Sequence, residues 1–354
     1  MMSRFLAIVC SFLACHAQWV TIDVGDDRSH RINPHYLGCH SDSGFTHQVR
    51  GFSSQMIFGE SFEAPQANCT PGRSSDAWSF YSTCHSCGAS SSIVNSTVKP
   101  AMHGASSRRL AITSAAAQGP TIAALRNRGL GNEGLYLEGG KPYEGFFFAR
   151  CAAPVTLVVR LEDYRSTANA LLAEKQIAFG CGDASSDWVR VNFELTPNAT
   201  AACEGIAVGS DPHVHCTQPT NEAGHSCVRC AGQFVVGLSS VGTVDIDYVV
   251  LQPGAWGRLA GADGHLLPVR LSTAQALQAM GISALRVGGS FASVTGWPDG
   301  GGGTPPSDRS GTYYQWQRWT GPPWLRPSVG AVWDAYAGTS YSLIGGWGPF
   351  EVSH

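Results

Sequence analysis

Charge is scarce in this chain. Asp, Glu, Lys and Arg make up only 14% of its 354 residues, and 23 basic against 26 acidic side chains leave a net charge of -3. Such a balance carries no basic footprint for nucleic acid or for an acidic membrane surface, so nucleic acid is not expected as a partner. Long apolar runs are missing as well. The segment Phe5–Ala14 is ten residues long, well short of the roughly 20 that cross a bilayer, so no membrane span is expected. No repeat of fixed period is evident.

What Phe5–Ala14 does fit is the apolar centre of a secretory signal. Arg4 precedes it, and Cys15-His16-Ala17 offers small residues where a signal peptidase cuts. Residues 1–17 are therefore read as a signal peptide with cleavage before Gln18, and the product as secreted. Removing Cys10 and Cys15 with that segment leaves ten cysteines, an even number suited to disulfides in an oxidising compartment. Asn-x-Ser/Thr sequons at Asn68, Asn95 and Asn198 belong to the same compartment and are expected on the surface. Cys84-x-x-Cys87 and Cys227-x-x-Cys230 resemble two halves of a zinc site. Cys87 and Cys227 lie 140 positions apart, however, against the roughly 15–20 of a zinc ribbon, so no metal site is assigned.

Glycine (42) and tryptophan (10) are plentiful. The pattern along the chain changes character several times. Val20, Ile22 and Val24 alternate as in a strand, and Tyr36–Cys39 reads as a short strand followed by polar His40, Ser41 and Asp42. Residues 52–63 look like a helix or a buried turn. Ser, Gly, Pro and Cys dominate 64–119, with strands at Trp78–Tyr81 and Leu110–Ile112. Alternating runs then follow one another at Leu135–Leu137, Gly145–Ala149, Val155–Leu161, Trp188–Leu195, Gln233–Leu238 and Thr243–Leu251, with one short helical possibility at Ala168–Ala173. Short strands separated by Gly, Asn and Pro read as an antiparallel sandwich. In its last run Val244, Ile246, Tyr248 and Val250 are expected on one face and Asp245 and Asp247 on the other. Those aspartates are either an ordinary solvated face or part of a structural calcium site, the one cofactor considered. Trp188, Tyr136 and Tyr143 are the candidates for stacking on sugar, with Trp78 and Tyr81 beside them; each also has an ordinary use in a core.

After an irregular connection at Trp256–Leu267, an amphipathic segment, Ser272–Met280, leads into Ala284-Leu285-Arg286-Val287-Gly288-Gly289-Ser290. A helix, a short strand, then an arginine and two glycines at the strand's end is how an α/β barrel presents a residue to a ligand.

In this order the chain resembles the front part of an α-L-arabinofuranosidase of glycoside hydrolase family 51, over about Ile32 to Phe350. Tyr36-Leu37-Gly38 through Phe62-Glu63 resembles the start of the family's barrel. Asn132-Glu133-Gly134-Leu135 and Phe146-Phe147-Phe148-Ala149-Arg150 resemble the carbohydrate-binding sandwich inserted after it, and Gly242–Leu251 that sandwich's closing strand. Leu285–Ser290 resembles the second barrel strand, and Trp316–Pro322 the tryptophan-rich loop beyond it. Val287 leads straight into Gly288-Gly289 without the family's proline, and Arg-Val-Gly-Gly-Ser is also similar to the heparanase and β-glucuronidase group.

The resemblance implies an α+β multidomain chain: a jelly-roll, carbohydrate-binding-like β-sandwich inserted into the start of an incomplete (β/α)8 TIM barrel. The implied parts are 18–63 (N-terminal strand and first barrel segment), 64–253 (sandwich with its cysteine-rich lead-in) and 254–354 (partial barrel). Barrel-like sequence amounts to 117 residues of the about 250 a barrel uses. Arg286, Asp42, Gly288 and Gly289 are the implied substrate-binding residues. A retaining glycosidase needs two carboxylates about 5 Å apart, which the family carries on its fourth and seventh strands. Asp299, Asp308, Asp334 and Glu351 follow Arg286 without a strand-end setting, so no catalytic residue is assigned. Glu351 opens a stretch that looks helical. The implied activity is release of arabinose from cell-wall polysaccharide, with a polysaccharide or oligosaccharide as partner. A binding module without catalysis and a disulfide-stabilised structural protein are the alternatives, and the oligomeric state is left open.

Overall fold

The computed structural model describes residues 38–41, 54–62, most of 78–207, nearly all of 226–287, and the stretches 322–325, 331–334 and 339–342. The signal segment, Asp42, Asn68, Gly288, Gly289, the glycine-rich loop at 300–306, Trp316–Trp319 and Glu351 lie outside them.

In chain order the strands are β1 (Gly38–Ser41), β2 (Trp78–Ser82), β3 (Ser90–Asn95), β4 (Ser106–Ile112), β5 (Ala123–Asn127), β6 (Tyr143–Cys151), β7 (Val155–Asp163), β8 (Ala170–Phe179) and β9 (Val189–Leu195). They continue as β10 (Cys203–Ala207), β11 (Ser226–Cys230), β12 (Gly232–Leu238), β13 (Gly242–Pro253), β14 (Arg258–Ala260) and β15 (Leu266–Arg270). Helix α1 (Leu271–Ala279) precedes β16 (Ala284–Val287), and a small hairpin pairs β17 (Ala331–Asp334) with β18 (Thr339–Ser342).

Ten of these strands form two antiparallel five-stranded sheets, ordered β2-β5-β12-β7-β8 and β3-β4-β13-β6-β9. Alternation decides which side chains meet between them. Val155, Leu157, Val159 and Leu161 of β7, with Phe234, Val236 and Leu238 of β12, face Val244 and Ile246 of β13 and Val191, Phe193 and Leu195 of β9. Phe193 stacks on Phe234 across the gap at 5.5 Å and touches Phe147 at 6.1 Å, which joins the two sheets through their aromatic rings. Three disulfides reinforce this unit: Cys84–Cys87 between β2 and β3, Cys151–Cys181 from β6 to the end of β8, and Cys203–Cys230 across the β10–β11 hairpin. The CxxC motifs thus do not act as a zinc pair: Cys84 bonds Cys87, and Cys230 bonds Cys203. Among the described residues no group of His, Cys, Asp and Glu could hold a metal ion.

Two expectations fail here for identifiable reasons. The helical reading of Ala168–Ala173 gives way to β8, because Ala170–Phe179 gains a full antiparallel ladder along β7 that an isolated turn of helix could not match. In β13 the alternation slips. The register shifts between Asp247 and Val250, with Tyr248 at φ 48°, and one inserted residue moves every later side chain to the other face. Val249 and Leu251 therefore join Val244 and Ile246 in the central core, while Tyr248 and Val250 pack outside it with Phe148.

Residues 54–62, expected as helix or turn, are a buried turn that closes one end of the sandwich. The Gln55 side-chain amide donates to Val249 O, and its Oε1 accepts from the backbone N–H of Leu251. Asn127 donates to Phe58 O, and the Trp78 indole donates to Gly59 O. One short segment thereby hydrogen-bonds both sheets. It also reaches beyond them, since Ser54 N donates to Pro268 O of β15. The connection at Trp256–Leu267 contains a 3-10 turn and the β14–β15 hairpin. α1 matches the amphipathic segment, yet none of its residues is fully buried and Met280 beyond it is 65% exposed.

β1 and β16 pair in parallel, Gly38 opposite Ala284 through Ser41 opposite Val287, so the whole sandwich is inserted between two adjacent parallel strands. The strand expected at Tyr36–Cys39 lies further along, over Gly38–Ser41. A closed barrel is not seen: among the described residues this is the one parallel pairing.

Candidate functional site

Parallel pairing places His40 and Arg286 opposite each other near the carboxyl ends of β1 and β16. These strand ends are where an α/β sheet receives ligand. Asp42, Gly288 and Gly289 fall outside the described residues, so only Arg286 of the four substrate-side candidates is located, and by its register alone.

The aromatic candidates separate by burial. Tyr143 is only 1% exposed: it packs edge-on against Trp256 at 5.5 Å, and its hydroxyl accepts from Glu138 N. Burial pushes its phenol up to about 12. It is a core residue. Trp78 is buried against Phe62 at 5.2 Å. Trp188 is half-buried with the Arg150 guanidinium 4.2 Å above its ring. Tyr136, 47% exposed, is the one of the three principal candidates that presents its ring to solvent. Asn198 is exposed, as its sequon requires.

The outer face of the second sheet corrects the reading of the aspartates. Asp245 is 3% exposed and Asp247 0%, so neither belongs to a solvated strand face. Arg109 of β4 grips Asp245 through two hydrogen bonds of 2.7 and 3.0 Å, and Arg150 of β6 adds a third at 3.1 Å. The hydrogen bonds that Arg109 donates to Asp245 hold its guanidinium more firmly protonated than usual. Asp247 instead accepts from the backbone N–H groups of Met102, His103 and Tyr248, which ties down the bulge. With their oxygens held by arginines and amides, these carboxylates are not set up as calcium ligands. Beside them Trp324 lies against Phe146, Phe148 and Tyr248 at 5.3, 5.5 and 6.4 Å, with Arg190 over it at 5.1 Å. This aromatic face is covered by the chain's own tryptophan.

The outer face of the first sheet is polar and cross-linked by its own side chains. Arg126 stacks on Tyr81 at 3.6 Å, the Tyr81 hydroxyl donates to Glu162, and Gln233 also donates to Glu162. Arg160 bridges Glu162 and Glu174. Burial, and then the Glu162 charge, raise the Tyr81 phenol. Burial pulls the Arg160 guanidinium down, but Tyr81 and Glu174 outweigh it and leave it raised. Arg160, Glu162 and Glu174 pair with one another within the face, and Tyr81 lies beneath Arg126.

Among the described residues, a groove of about 590 Å³ lies between one end of the sandwich and the start of α1. Tyr136 and Trp256 contribute rings, Glu133 and Arg270 the charged groups of its lining, and Ser272 and Gln275 exposed polar groups from α1. Burial lowers the Arg270 guanidinium. The Trp256 indole donates to Pro142 O at 2.7 Å, which fixes its ring plane. On the other wall Gly134 adopts φ 86°, and a Cβ there would stand 1.9 Å from Cys230 O, so only glycine lets the Glu133–Tyr136 loop lie this close to β11. Sequence reading singled out Tyr136 but not Trp256, Arg270 or Gln275. Their sequence signal is slight: Trp256 stands in Gly254-Ala255-Trp256-Gly257, Arg270 ends β15 and Gln275 lies within α1.

Comparison with solved structures places this fold. An arabinose-bound α-L-arabinofuranosidase, MgGH51, overlays 86% of the chain with a TM-score of 0.56 at 17% identity, and the chain spans 40% of that protein's length. A carbohydrate-binding module of family 4 (15% identity, 56% of this chain, 99% of that one) and the CBM22-1–GH10 xylanase 10B of Clostridium thermocellum (12%, 58% and 29%) overlay with TM-scores of 0.32 and 0.31, too low to define a shared fold. No protein-family model and no curated protein matches the chain. The described part of the molecule is thus two antiparallel sheets set between parallel strands, in a fold like that of a glycoside hydrolase.

Proposed function

We propose that the chain is a secreted carbohydrate-active protein built like an α-L-arabinofuranosidase, whose residues bind arabinose-containing cell-wall polysaccharide. The observation that carries this reading is the parallel β1–β16 pair with a ten-stranded sandwich inserted between its strands. That arrangement overlays the arabinofuranosidase fold across most of the chain. Arg286, Asp42, Gly288 and Gly289 are the residues assigned to sugar binding, Arg286 by its register near the carboxyl end of β16. Three disulfides and the exposed Asn198 support an extracellular setting. The roles assigned here are binding roles. Hydrolysis with retention requires two further carboxylates about 5 Å apart.

A second reading, glycan binding without hydrolysis, is favoured by the closed and complete core of the sandwich, which supplies a folded unit whatever the barrel does. The similarity of Arg286-Val287-Gly288-Gly289-Ser290 to the β-glucuronidase group makes glucuronides the third ligand to try.

Affinity gel electrophoresis with arabinan and arabinoxylan, alongside hydrolysis of aryl α-L-arabinofuranoside and aryl β-glucuronide, tests all three. Retardation by the arabinose polymers is expected. Retardation without turnover selects the binding reading, and turnover of the glucuronide alone moves the protein to the other group. A chain that neither binds nor cleaves any of them is not carbohydrate-active.

A further inference from the structure

We propose that the groove between the sandwich and α1 is a subsite for a neutral oligosaccharide, continuing the sugar-facing end of the β1–β16 pair. The proposal rests on the carbohydrate reading above and adds a place and a ligand class to it.

Four observations carry the proposal. The first is size: about 590 Å³ lies inside the roughly 300–1,000 Å³ of ligand sites. The second is the lining, in which the rings of Tyr136 and Trp256 stand with Ser272, Gln275, Glu133 and Arg270. A sugar ring has apolar C–H faces and a rim of hydroxyls, so it needs both aromatic surface and hydrogen-bonding groups. The single acid and single base cancel, and a groove of zero net charge selects neither polyanionic glycan nor nucleic acid.

The third is rigidity. The Gln55 side chain pins the 54–58 wall to β13, the Cys203–Cys230 disulfide locks the hairpin behind Gly134, and the Trp256 indole is fixed by Pro142. Walls set before binding lose little entropy on binding.

The fourth is location. α1 is the last element of the crossover that returns the chain from the carboxyl end of β1 to the amino end of the parallel β16, and it ends four residues before β16 begins. The start of α1, which lines the groove, consequently lies toward the carboxyl ends of β1 and β16, where Arg286 sits. A chain of sugar units held in the groove would point along this edge toward those strand ends.

The test uses the full chain, arabinan-derived oligosaccharides as the probe, and isothermal titration calorimetry. Tyr136→Ala removes an exposed ring and should weaken binding about five- to tenfold. Gln275→Trp, on the exposed side of α1, fills the groove and should abolish binding at the same probe concentrations. Lys175→Ala on the exposed β8 strand should bind as the parent does. Melting temperatures and circular dichroism verify that the variants fold, and any variant that does not is replaced by Tyr136→Ser or Gln275→Phe. If the parent binds while the groove variants bind equally well, the groove is not the subsite and the broader carbohydrate reading stands. If the parent binds none of the arabinose glycans, both fail. If oligogalacturonate binds as tightly and is lost in the same variants, the assignment of a neutral ligand is overturned.

Discussion

Replacing Asp245 is the sharpest perturbation of the sandwich, because three adjacent strands meet at its carboxylate. Asp245 stands opposite Arg109 on β4 and Arg150 on β6, with hydrogen bonds of 2.7, 3.0 and 3.1 Å to their guanidinium groups. The two arginines differ in what they would do if abandoned. Arg109 has a side chain 40% exposed and could turn to water, so losing that half of the cluster costs about 1 kcal/mol or less. Arg150 is 1% exposed beneath Trp188. Its charge would stay buried with the Asp245 carboxylate gone, and breaking a buried pair in this way costs about 3–5 kcal/mol. The Asp245→Ala variant is therefore expected to lose about 4 kcal/mol in all. In urea unfolding followed by tryptophan fluorescence, with an m-value of about 2–3 kcal/mol/M, the midpoint should fall by about 1–2 M at unchanged slope. A second substitution separates charge from packing. Arg150→Met in the Asp245→Leu background should recover about 2 kcal/mol or more, since an apolar pair of similar volume removes the buried charge. A loss under about 1 kcal/mol for Asp245→Ala, or no recovery in the double variant, would refute the claim that Arg150 is trapped.

Two further outcomes follow from the same geometry. Tyr143 has a folded-state pKa of about 12 against 10.0 for the free side chain, so between those values the native state holds a proton that the unfolded chain releases. Its contribution is fully present below about pH 10 and disappears as pH rises toward 12, at most about 2.7 kcal/mol, and Tyr143→Phe should flatten that part of the stability–pH curve. Phenolate absorbance during alkaline titration checks it; a Tyr143 that ionises near pH 10 contradicts its burial. Gly134→Ala puts a Cβ against Cys230 O at a φ that alanine rarely adopts, and should cost about 1–3 kcal/mol from backbone strain, before the clash is counted. Thermal unfolding reads this directly, and a melting temperature within a degree or so of the parent would show that the loop moves away freely.

Much of the architecture was legible in the pattern of the chain. Val155–Leu161, Trp188–Leu195 and Gln233–Leu238 alternate and became β7, β9 and β12 almost at the expected bounds. The same logic failed at β13, because alternation is a statement about uninterrupted strands, and a bulge at Tyr248 is set by backbone hydrogen bonds to Asp247 from residues some 145 positions earlier. Tyr143 and Tyr136 are similar as letters. One lies in a long strand beneath Trp256, and the other on a loop held out by Gly134, so only packing tells the core ring from the exposed one. The groove shows this limit most plainly. Its walls come from 54–58, 129–136, 253–257 and 270–275, with Tyr143, Val228 and Cys230, segments that only the fold brings together.

By itself, then, the sequence determined strands such as those at Val155–Leu161, Trp188–Leu195 and Gln233–Leu238, the helix before β16 and the shortage of charge that leaves no basic footprint for nucleic acid. Those properties depend on neighbours within a few residues, and local periodicity reports them faithfully. The tertiary structure alone decided that Asp245 and Asp247 are buried, that Tyr143 is core, that β1 and β16 lie side by side, and that Trp256, Arg270 and Gln275 share a groove with Tyr136. Burial and adjacency are sums over contacts between distant segments, and they exist only once the two sheets have closed on each other.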